Sequence, residues 1–391
     1  MELADQVDCS AECALDGHRA RWLPNGVATF AAMAALITAA QREICLEFYM
    51  VKPGEPALSL RAALLAACER GVHVRVLYDA FGSEGLAPDF FAPLQAAGGE
   101  ARVFSPARRL RLAFRDHRKL LVCDGQRAIV GGHNIGPEYA GDGLTRGWFD
   151  VALQVEGPVA GALAASFAAM YALAPMNPAA IGEFRRAVRA QRALRHPQGP
   201  VQLLTSGPGW RAGLLSRVLR HDVERSRDVR CMAGYFLPPA RMRRALRRCR
   251  AGGGQVLLLL AGQTDVPVAR YAAEHLYGTM LAGGARLYEY QPQVLHAKLF
   301  IVDDTVYVGS CNLDRRSLNI NYELLLRLEW PELAAHARRL FAGALAHSRE
   351  VPADSWRRRR HWWEGLRARA AYWLLTRIDP LLARRPLRSL G

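Results

Sequence analysis

Apolar residues at helical spacing alternate along this chain with short, continuous runs of aliphatic and β-branched residues. The segment RAALLAACERG (61–71) has helical apolar spacing and ends on Gly71, a residue that suits a helix C-cap. VHVRVLYD (72–79) follows it with the Val, Leu and Tyr content of a strand. The runs LLVC (120–123) and LFIV (299–302) are apolar throughout, as in buried central strands. This alternation predicts an α/β fold with mixed, mostly parallel sheets flanked by helices.

The most informative pattern is an internal repeat. HRKLLVCDGQRAIVGGHN (117–134) recurs as HAKLFIVDDTVYVGSCN (296–312), with the two histidines 179 residues apart. The similarity continues upstream in three further pairs of segments: 42–50 with 227–236, 71–83 with 253–265, and 98–106 with 283–291. Two copies of one unit of ~150 to 190 residues agree with the usual size of a domain. We therefore expect two similar lobes related by a pseudo-twofold axis.

This organisation divides the chain into five predicted parts. They are an N-terminal extension (1–24), a first lobe (25–183), a basic connection (184–200), a second lobe (201–350) and a basic, Trp-rich segment (351–391). The last part has no counterpart in the first copy. Because both copies lie in one chain, we expect a single two-lobed chain to be active.

Charge and cysteine content narrow the class of partner. In this 391-residue chain Lys plus Arg is 52 and Asp plus Glu is 36, so the formal charge is +16. Such an excess favours a nucleic acid, an acidic membrane surface or a phosphate-bearing substrate. None of the eight cysteines forms a CxxC pair, so we interpret them as reduced thiols and predict no zinc site and no other metal or cofactor. The apolar stretches 27–40 and 159–176 are too short or too interrupted to predict an integral membrane protein.

The candidate chemistry lies in the repeated motif, which reads His-x-Lys, then Asp, then Gly-Gly or Gly-Ser, and then Asn. Side chains alternate along a strand, so the His and Lys of each copy share one face, whereas the Asp seven residues after each His faces away. Within this catalytic motif we therefore give the Asp residues a structural role. The glycines let the backbone approach a ligand closely, and the Asn side chains follow as donors. The residues are His117, Lys119, Asp124 and Asn134 in the first copy, and His296, Lys298, Asp303 and Asn312 in the second.

Two His, two Lys and two Asn that converge at a pseudo-twofold axis suit a phosphodiester substrate. Lys and Asn stabilise negative charge on the non-bridging oxygens. One imidazole attacks phosphorus, and the other protonates the departing alkoxide and then deprotonates the incoming alcohol. A single His-x-Lys can arise by chance at a strand end, but two copies within a wider repeat favour a function. His133, inside the first motif, is interpreted as structural.

The duplicated motif resembles the HKD motif of the phospholipase D superfamily, and the similarity covers about residues 25 to 350. The segment GSCNLDRRSLNINYE (309–323) further resembles the GSxNxDxRSxxxNxE signature of bacterial cardiolipin synthases. Their usual pair of N-terminal transmembrane helices is missing, which resembles the shorter type-B members. The resemblance implies two phospholipase D-like lobes, with catalytic His and Lys residues and phosphate bound by Asn134 and Asn312.

In the superfamily an acidic residue downstream of each motif holds the second nitrogen of the histidine. By this resemblance we assign Glu323 to His296 and Asp150 to His117. Such a carboxylate fixes the imidazole tautomer, as in a Ser-His-Asp triad. An ordinary strand-edge carboxylate is the alternative interpretation at both positions.

The resemblance implies a cardiolipin synthase-like phosphatidyltransferase, which moves a phosphatidyl group through a phosphohistidine to an alcohol of phosphatidylglycerol. The alternatives are a hydrolytic phospholipase D, an HKD-type nuclease and a catalytically silent membrane scaffold. Intact motifs disfavour the scaffold, and bacterial HKD nucleases usually resemble single-motif dimers, so we expect no nucleic-acid partner. The expected substrate is an anionic phospholipid, and the expected location is the cytoplasmic side of the bacterial inner membrane, as a peripheral protein.

The C-terminal segment 355–391 carries half of the net charge. Ten Arg against Glu364 and Asp379 give 10 − 2 = +8. An apolar stripe with basic flanks follows helical spacing through Trp363, Leu366, Ala370, Trp373 and Arg377. Such a helix can lie in a membrane interface, with Trp at the headgroup level and Arg on anionic lipid, although a helix packed on the second lobe has the same pattern. We expect this segment to dock the protein on the membrane.

Overall fold

The computed structural model describes residues 11–104, 114–175, 182, 199–207, 213–356 and 362–378. In the first lobe the strands are β1 (Cys13–Leu15), β2 (His18–Leu23), β3 (Glu43–Phe48), β4 (His73–Asp79), β5 (Glu100–Phe104), β6 (Lys119–Cys123), β7 (Arg127–Gly131) and β8 (Ala152–Glu156). The helices of this lobe are α1 (Gly26–Ala39), α2 (Glu55–Glu69), α3 (Ala92–Ala96) and α4 (Pro158–Leu173).

The second lobe repeats this plan. Its strands are β9 (Val201–Ser206), β10 (Asp228–Ala233), β11 (Gln255–Ala261), β12 (Arg286–Tyr290), β13 (Lys298–Val302), β14 (Thr305–Gly309), β15 (Glu323–Glu329) and β16 (Ser348–Glu350). Its helices are α5 (Leu214–Arg225), α6 (Ala240–Ala251), α7 (Pro267–Ala282), α8 (Arg315–Asn319) and α9 (Pro331–Ala346). Two C-terminal helices follow, α10 (Ala353–Trp356) and α11 (Trp362–Trp373), with a π turn at Leu374–Ile378.

Local sequence sets where these helices begin. The Asn25 side chain caps α1 by accepting from the Ala28 N–H at 3.0 Å, and Asp314 caps α8 by accepting from the Ser317 N–H at 2.8 Å. Proline lies in the first turn of α2, α4, α7 and α9, where its missing N–H costs no helical hydrogen bond. Within the described part of the chain, no helix combines the length and the apolar character needed to cross a bilayer.

Each lobe contains one mixed eight-stranded sheet. The strand orders are β1-β2-β8-β7-β6-β3-β4-β5 and β16-β12-β11-β10-β13-β14-β15-β9. The predicted two-lobed α/β architecture is therefore confirmed. The expectation of mostly parallel sheets is wrong. In the first described sheet β3-β4 and β4-β5 are parallel, and in the second β10-β11 and β11-β12 are parallel. The other five strand pairs of each sheet are antiparallel. Short turns account for three of the antiparallel pairs, β1-β2, β6-β7 and β13-β14, because a two- or three-residue turn can join only antiparallel strands.

The two hairpins that follow the motifs explain a one-residue difference between the copies. Three residues, 124–126, connect β6 to β7, whereas two residues, 303–304, connect β13 to β14. The shorter spacing in the second copy thus lies in the turn. The flanking strands keep their register, so the deletion leaves the residues on either side of the hairpin in equivalent places.

The first lobe begins earlier than the predicted boundary at residue 25. Strand β2 occupies the place in the first sheet that β9 occupies in the second, and β1 adds a further strand at that edge. Residues 13–23, placed in an N-terminal extension from the sequence, therefore belong to the first sheet. The predicted basic connection 184–200 lies outside the described residues except for 199–200.

One apolar core runs across the junction of the lobes. It joins side chains of β2, β6, β7, β8 and α4 to side chains of β11, β13, β15 and α9. Trp22, which is fully buried, crosses the junction and donates its indole N–H to the carbonyl of Leu333 in α9 at 3.1 Å. Because the lobes share this core, packing fixes their relative position and hence the distance between the two motifs.

Candidate active site

The two copies of the motif meet where the central strands of the two sheets begin. Lys119 and Lys298 are the first residues of β6 and β13, and each histidine lies two residues earlier. Both lysines are 1% exposed, and the side chains of His117 and His296 are 13% and 6% exposed. The site is therefore a buried cluster at the junction of the lobes.

Alternation of side chains at the start of β6 follows the sequence-based expectation. Arg118, which lies between His117 and Lys119, forms a buried ion pair with Glu47 of β3 at 3.0 Å. The Lys119 ammonium instead donates to the His117 carbonyl at 2.6 Å. Burial raises the pKa of Glu47 above its usual range, against the opposing effect of the Arg118 guanidinium.

Backbone from the second lobe holds the first histidine. Asp116 and Tyr322 form an isolated parallel bridge, in which the His117 N–H donates to the Tyr322 carbonyl at 3.0 Å. This bridge places Glu323, the next residue along the chain, beside the imidazole. The Nδ1 atom of His117 lies 3.0 Å from Oε2 of Glu323, within hydrogen-bond distance.

Backbone from the first lobe holds the second histidine in the same way. Phe149 and Leu295 form the symmetry-related bridge, in which the His296 N–H donates to the Phe149 carbonyl at 2.8 Å. Asp150, the next residue, then lies against the ring. Its Oδ2 atom is 2.6 Å from Nδ1 of His296, and its side chain is fully buried.

These contacts correct the pairing assigned from the sequence. The sequence assigned Glu323 to His296 and Asp150 to His117, but each carboxylate contacts the histidine of the other lobe. The physical reason is the pair of bridges across the pseudo-twofold axis, which exchanges the residues between lobes. Both carboxyl residues named from the sequence thus contact a histidine of the motif, in exchanged pairs, and their orienting role stays a prediction.

The two carboxylates are supported differently. A Cβ atom at Gly132 would lie 2.5 Å from both carboxylate oxygens of Asp150, so the first motif has room for no side chain there. Ser310 takes the matching place in the second motif and donates its hydroxyl to Glu323. The shorter acid thus adjoins glycine, and the longer acid adjoins a hydroxyl donor.

We expect Gly132→Ala to lower the turnover number about 100-fold, because a displaced Asp150 would turn His296 away from its reactive orientation. The measurement is the steady-state rate with lipid vesicles, together with circular dichroism to establish that the variant is folded. Gly161→Ala in α4 is the matched control, since its added Cβ meets only the Gly125 carbonyl oxygen, at 3.8 Å. Equal rates for the two variants would contradict this account of Gly132.

Both lysines donate to the backbone carbonyl of their own histidines, and Lys298 also lies beside the ring of His296. The Lys298 ammonium donates to the His296 carbonyl, and its Nζ is 3.0 and 3.2 Å from the two ring nitrogens. Burial lowers the pKa of Lys119 to about 7, although Glu323 favours its charged form. Burial also lowers the pKa of Lys298 below its usual range. Each ammonium therefore lacks full compensation by the protein, which favours an anionic ligand beside it.

The histidines are neutral near pH 7 in this environment. Burial and the charge of Lys298 lower the pKa of His296 to about 3, although the neighbouring Asp150 opposes the shift. Burial, Lys119 and Lys298 lower the pKa of His117 well below its usual range. With Nδ1 facing a carboxyl group, the free lone pair is on Nε2. The arrangement therefore supplies two potential nucleophiles or bases.

The predicted asparagines are buried beside the motifs. The amide nitrogen of Asn134 donates to the Tyr139 hydroxyl at 2.8 Å. Among the described residues, the amide oxygens of Asn134 and Asn312 are buried without a hydrogen-bond partner. Because oxygen and nitrogen of an amide can exchange places by rotation, either side chain can present a donor or an acceptor to a ligand. Phosphate binding by these residues remains a prediction.

The two aspartates of the motif lie in the hairpin turns that follow β6 and β13. Asp124 accepts hydrogen bonds from the backbone N–H groups of residues 41–43, and Asp303 accepts them from Arg227 and Asp228. Both aspartates have left-handed backbone conformations, with φ of 58° and 50°. These hydrogen bonds hold the β6–β7 turn against the start of β3 and the β13–β14 turn against the start of β10, away from the imidazoles.

Aromatic rings that the sequence did not single out surround the histidines. The Tyr49 ring centroid is 4.8 Å from that of His117. Tyr139 and Trp148 lie 5.2 and 5.5 Å from the His296 ring. A single aromatic residue at a strand end is usually a core residue, so the sequence carried no signal for these contacts.

The fold and site define a class of protein, namely the two-lobed enzymes with a duplicated phospholipase D-type site. A family model described as "Cardiolipin synthase, PLD-like domain" matches residues 33–168 and 220–345. The chain therefore belongs to the cardiolipin synthase family of phospholipase D-like proteins, and it is a phosphatidyltransferase.

Individual relatives agree with this membership. Cardiolipin synthase B of Salmonella typhi is 31% identical over 389 residues, covering 96% of this chain and 92% of that protein. Cardiolipin synthase 1 of Bacillus cereus is 29% identical over 379 residues, covering 94% of this chain and 74% of that protein. The crystal structure of phosphatidylserine synthase from Haemophilus influenzae Rd KW20 has a TM-score of 0.70 at 14% identity and covers 95% of each chain, which supports the fold.

Proposed function

We propose that this protein forms cardiolipin by moving a phosphatidyl group, through a phosphohistidine, to an alcohol of phosphatidylglycerol. The observation that carries the proposal is the pair of neutral imidazoles at one buried junction, each with Nδ1 against a carboxyl group and a lysine alongside. The likeness to cardiolipin synthases over most of the chain supports the choice of lipid.

In the first step, Nε2 of one histidine attacks phosphorus. A P–N bond forms, and the P–O bond to the glycerol headgroup breaks. The other imidazole, protonated when an anionic phosphate lies beside it, gives its proton to the departing glycerol oxygen. Asp150 or Glu323 keeps Nδ1 protonated throughout, which keeps Nε2 free for the transfer.

In the second step, a hydroxyl of another phosphatidylglycerol gives its proton to the histidine that acted as acid. The hydroxyl oxygen attacks phosphorus, the P–N bond breaks, and the first histidine regains its lone pair. The products of the two steps are cardiolipin and glycerol. Both imidazoles return to their starting protonation states, so the two steps together need no cofactor.

Lys119 and Lys298 are the proposed cationic ligands of the phosphate, and Asn134 and Asn312 its amide ligands. Negative charge on the non-bridging oxygens increases during attack, and preoriented cations stabilise it more strongly in a buried site than in water. Such a phosphate also favours the charged forms of both lysines, against the burial that lowers their pKa. Burial of the site favours transfer over hydrolysis, because it restricts the access of water to the phosphohistidine.

The test is to incubate the full chain with phosphatidylglycerol vesicles and identify the products by mass spectrometry. Cardiolipin and glycerol in equal amounts are expected, with none from His296→Ala. Phosphatidic acid as the main product would replace transfer with hydrolysis. Unchanged lipid, with degradation of single- or double-stranded DNA by the same preparation, would contradict the proposal and indicate a nuclease.

The membrane partner of the proposal is a surface on α11. Buried Ala368 and Ala371 face the second lobe, where α11 packs against α7 and Leu237, and the Arg367 guanidinium lies 3.8 Å from the Tyr271 ring centroid. Five large apolar side chains remain 42–77% exposed on α11 and the adjoining turn, and we name them the Trp face: Trp362, Trp363, Leu366, Trp373 and Leu374. One side of the helix thus packs on the lobe, and another is exposed on the surface.

The sequence left two alternatives open for the C-terminal segment, and the packing of α11 on the second lobe is compatible with both. The exposed members of the predicted stripe fit a peripheral attachment to the inner face of the bacterial inner membrane, where anionic lipid attracts arginine. Residues 357–361 and 379–391, which contain seven of the ten arginines of the predicted docking segment, lie outside the described residues.

We expect the triple variant Trp363→Ser, Leu366→Ser and Trp373→Ser to bind phosphatidylglycerol vesicles about 100-fold more weakly in a sedimentation assay. If each apolar side chain contributes about 1 kcal/mol on entering the interface, the three together give roughly that factor. Substitution is a better test than deletion, because deleting α11 would uncover the apolar surface of α7.

The matched control replaces three apolar side chains elsewhere that are 39–49% exposed: Val27→Ser, Leu58→Ser and Val103→Ser. This control should sediment with vesicles as the unmodified protein does. Equal losses in both triple variants, or none in either, would show that the Trp face is not the docking surface.

A further inference from the structure

A cluster of metal-binding side chains lies at the edge of the molecule where the lobes adjoin. Cys13 of β1 belongs to the first lobe, and Glu332 and His336 belong to α9 of the second. Among the described residues, this is the one group of three or more His, Cys, Asp or Glu side chains whose potential ligand atoms all lie within 4.8 Å of one another. Cys13 and His336 are buried, and Glu332 is exposed.

The helix and the strand bring these residues together although 319 residues separate Cys13 from Glu332. Residues four apart share one face of a helix, so Glu332 and His336 point to the same side of α9. Close to them, the Trp22 indole N–H bonds the Leu333 carbonyl, which ties β2 to the same turn of α9. Local spacing of cysteines and histidines gave no signal for such a cluster, since its members come from opposite ends of the fold.

The distances suit a tetrahedral cation. The Cys13 Sγ atom lies 3.7 Å from Nδ1 of His336. Typical zinc bonds of about 2.3 Å to sulfur and 2.0–2.1 Å to nitrogen, at a tetrahedral angle, place those two atoms about 3.6 Å apart. A thiolate, an imidazole and a carboxylate are also ligand types that zinc prefers.

We propose that Cys13, Glu332 and His336 bind one zinc ion, which joins the first strand of one lobe to the last long helix of the other. The ion replaces the thiol proton, which passes to solvent, while neutral His336 and ionised Glu332 donate lone pairs and water completes the tetrahedron. Thiolate and carboxylate together balance the charge of the ion. Glu12 and Arg339, which also act on the thiol, have opposite charges and offset one another.

Such an ion would act on the junction of the lobes rather than on the chemical step. Strand β1 is at the edge of the first sheet, whereas the histidines adjoin the central strands β6 and β13. A ligand that binds only the folded state stabilises it by RT ln(1 + L/Kd), where L is the free ligand concentration, so the unfolding temperature rises with the logarithm of that concentration once it exceeds Kd. Zinc is therefore expected to stabilise the two-lobed arrangement.

The test measures zinc bound to the full chain by plasma mass spectrometry after dialysis, and Co²⁺ absorption as a reporter of thiolate ligation. We expect one zinc per chain, a thiolate-to-cobalt band, and an unfolding temperature that rises with added zinc and falls with a chelator. Cys13→Ser and His336→Gln should lose all three signals. Cys68→Ser, a half-buried thiol outside the cluster, should keep them.

Glu332→Gln keeps the test valid if the two buried variants fail to fold, because the Glu332 side chain is exposed and its replacement leaves no cavity. It should weaken zinc binding by about tenfold or more while the metal-free chain unfolds at an unchanged temperature. A chain that binds no zinc, and whose unfolding temperature responds to neither zinc nor chelator, would reduce the cluster to a thiol–imidazole hydrogen bond. Zinc retained in Cys13→Ser but lost in Cys9→Ser would move the site away from Cys13 and overturn the assignment.

Discussion

Replacing either His117 or His296 by alanine is expected to lower the rate of cardiolipin formation on the order of 10⁴-fold or more. The two imidazoles act in sequence on one phosphorus atom, so loss of the nucleophile or of the acid stops the same reaction. The measurement is the initial rate of cardiolipin formation from phosphatidylglycerol vesicles by mass spectrometry, with each variant compared by thermal unfolding.

The double variant should be no slower than the slower single variant, because groups that act as a unit are not additive. His73→Ala is the matched control, since that exposed imidazole pairs with Glu100 at 3.0 Å on the surface of the first sheet. Substantial activity in both single variants would rule out a mechanism that needs two histidines.

The second large effect concerns the carboxyl groups, and it is expected to be unequal. Asp150→Asn should lower the rate about 10⁴-fold, as a reversed imidazole tautomer does in a catalytic triad. The Val151 N–H donates to Oδ1 of Asp150 at 2.8 Å. The side-chain amide of the Asn variant would therefore keep its oxygen at the Oδ1 position, as the acceptor of this hydrogen bond. Its NH₂ group would then face Nδ1 of His296, where an acceptor is needed.

Glu323→Gln should lower the rate far less, about tenfold, because the replacement resembles the protonated acid. Burial raises the pKa of Glu323 to about 8, against the effect of Lys119, so this group carries a proton at neutral pH. By contrast, His133, Lys298 and His296 outweigh burial and hold the pKa of Asp150 below its usual range, so it is ionised. A glutamine can keep its carbonyl oxygen at the Oε2 position, which accepts from the Ser310 hydroxyl and faces Nδ1 of His117.

A pH profile of the rate tests the same assignment. As the pH rises through about 8, wild-type Glu323 loses its proton and the pKa of the adjoining His117 rises. The rate of the unmodified enzyme should therefore change in that range, and the change should vanish in Glu323→Gln. Equal losses in Asp150→Asn and Glu323→Gln, with unchanged profiles, would contradict the unequal ionisation of the two carboxyl groups.

The sequence predicted the duplication and the motif residues that meet at the junction, because a repeat and a strand alternation are local properties. It could not predict the exchange of Asp150 and Glu323 between the histidines. Chain proximity favoured a partner within each lobe, whereas the two bridges that cross the axis depend on how complete lobes pack. Contacts between residues more than a hundred positions apart leave no periodic signal in one sequence.

The direction of the strands could have been read more accurately from the turns. Asp124-Gly125 is a common hairpin signal between two apolar runs, and it does connect antiparallel strands here. Helices before β4 and β11 favoured parallel pairing, and the structure has such pairing only in the outer part of each sheet. In the larger, antiparallel part of each sheet, the hairpin that follows the motif pairs with the next strand: β7 pairs with β8, and β14 pairs with β15.

The exchange of carboxylates between lobes has a consequence for the ancestry of the chain. In a lone copy of the repeated unit the orienting acid would face outward, away from the histidine of that copy. The histidine would gain an orienting acid only when a second copy bound to the first. Activity would then rise with the square of its concentration. Fusion of two copies replaces that encounter with a permanently high effective concentration, and it frees the halves to diverge, one toward Gly132 with Asp150 and the other toward Ser310 with Glu323.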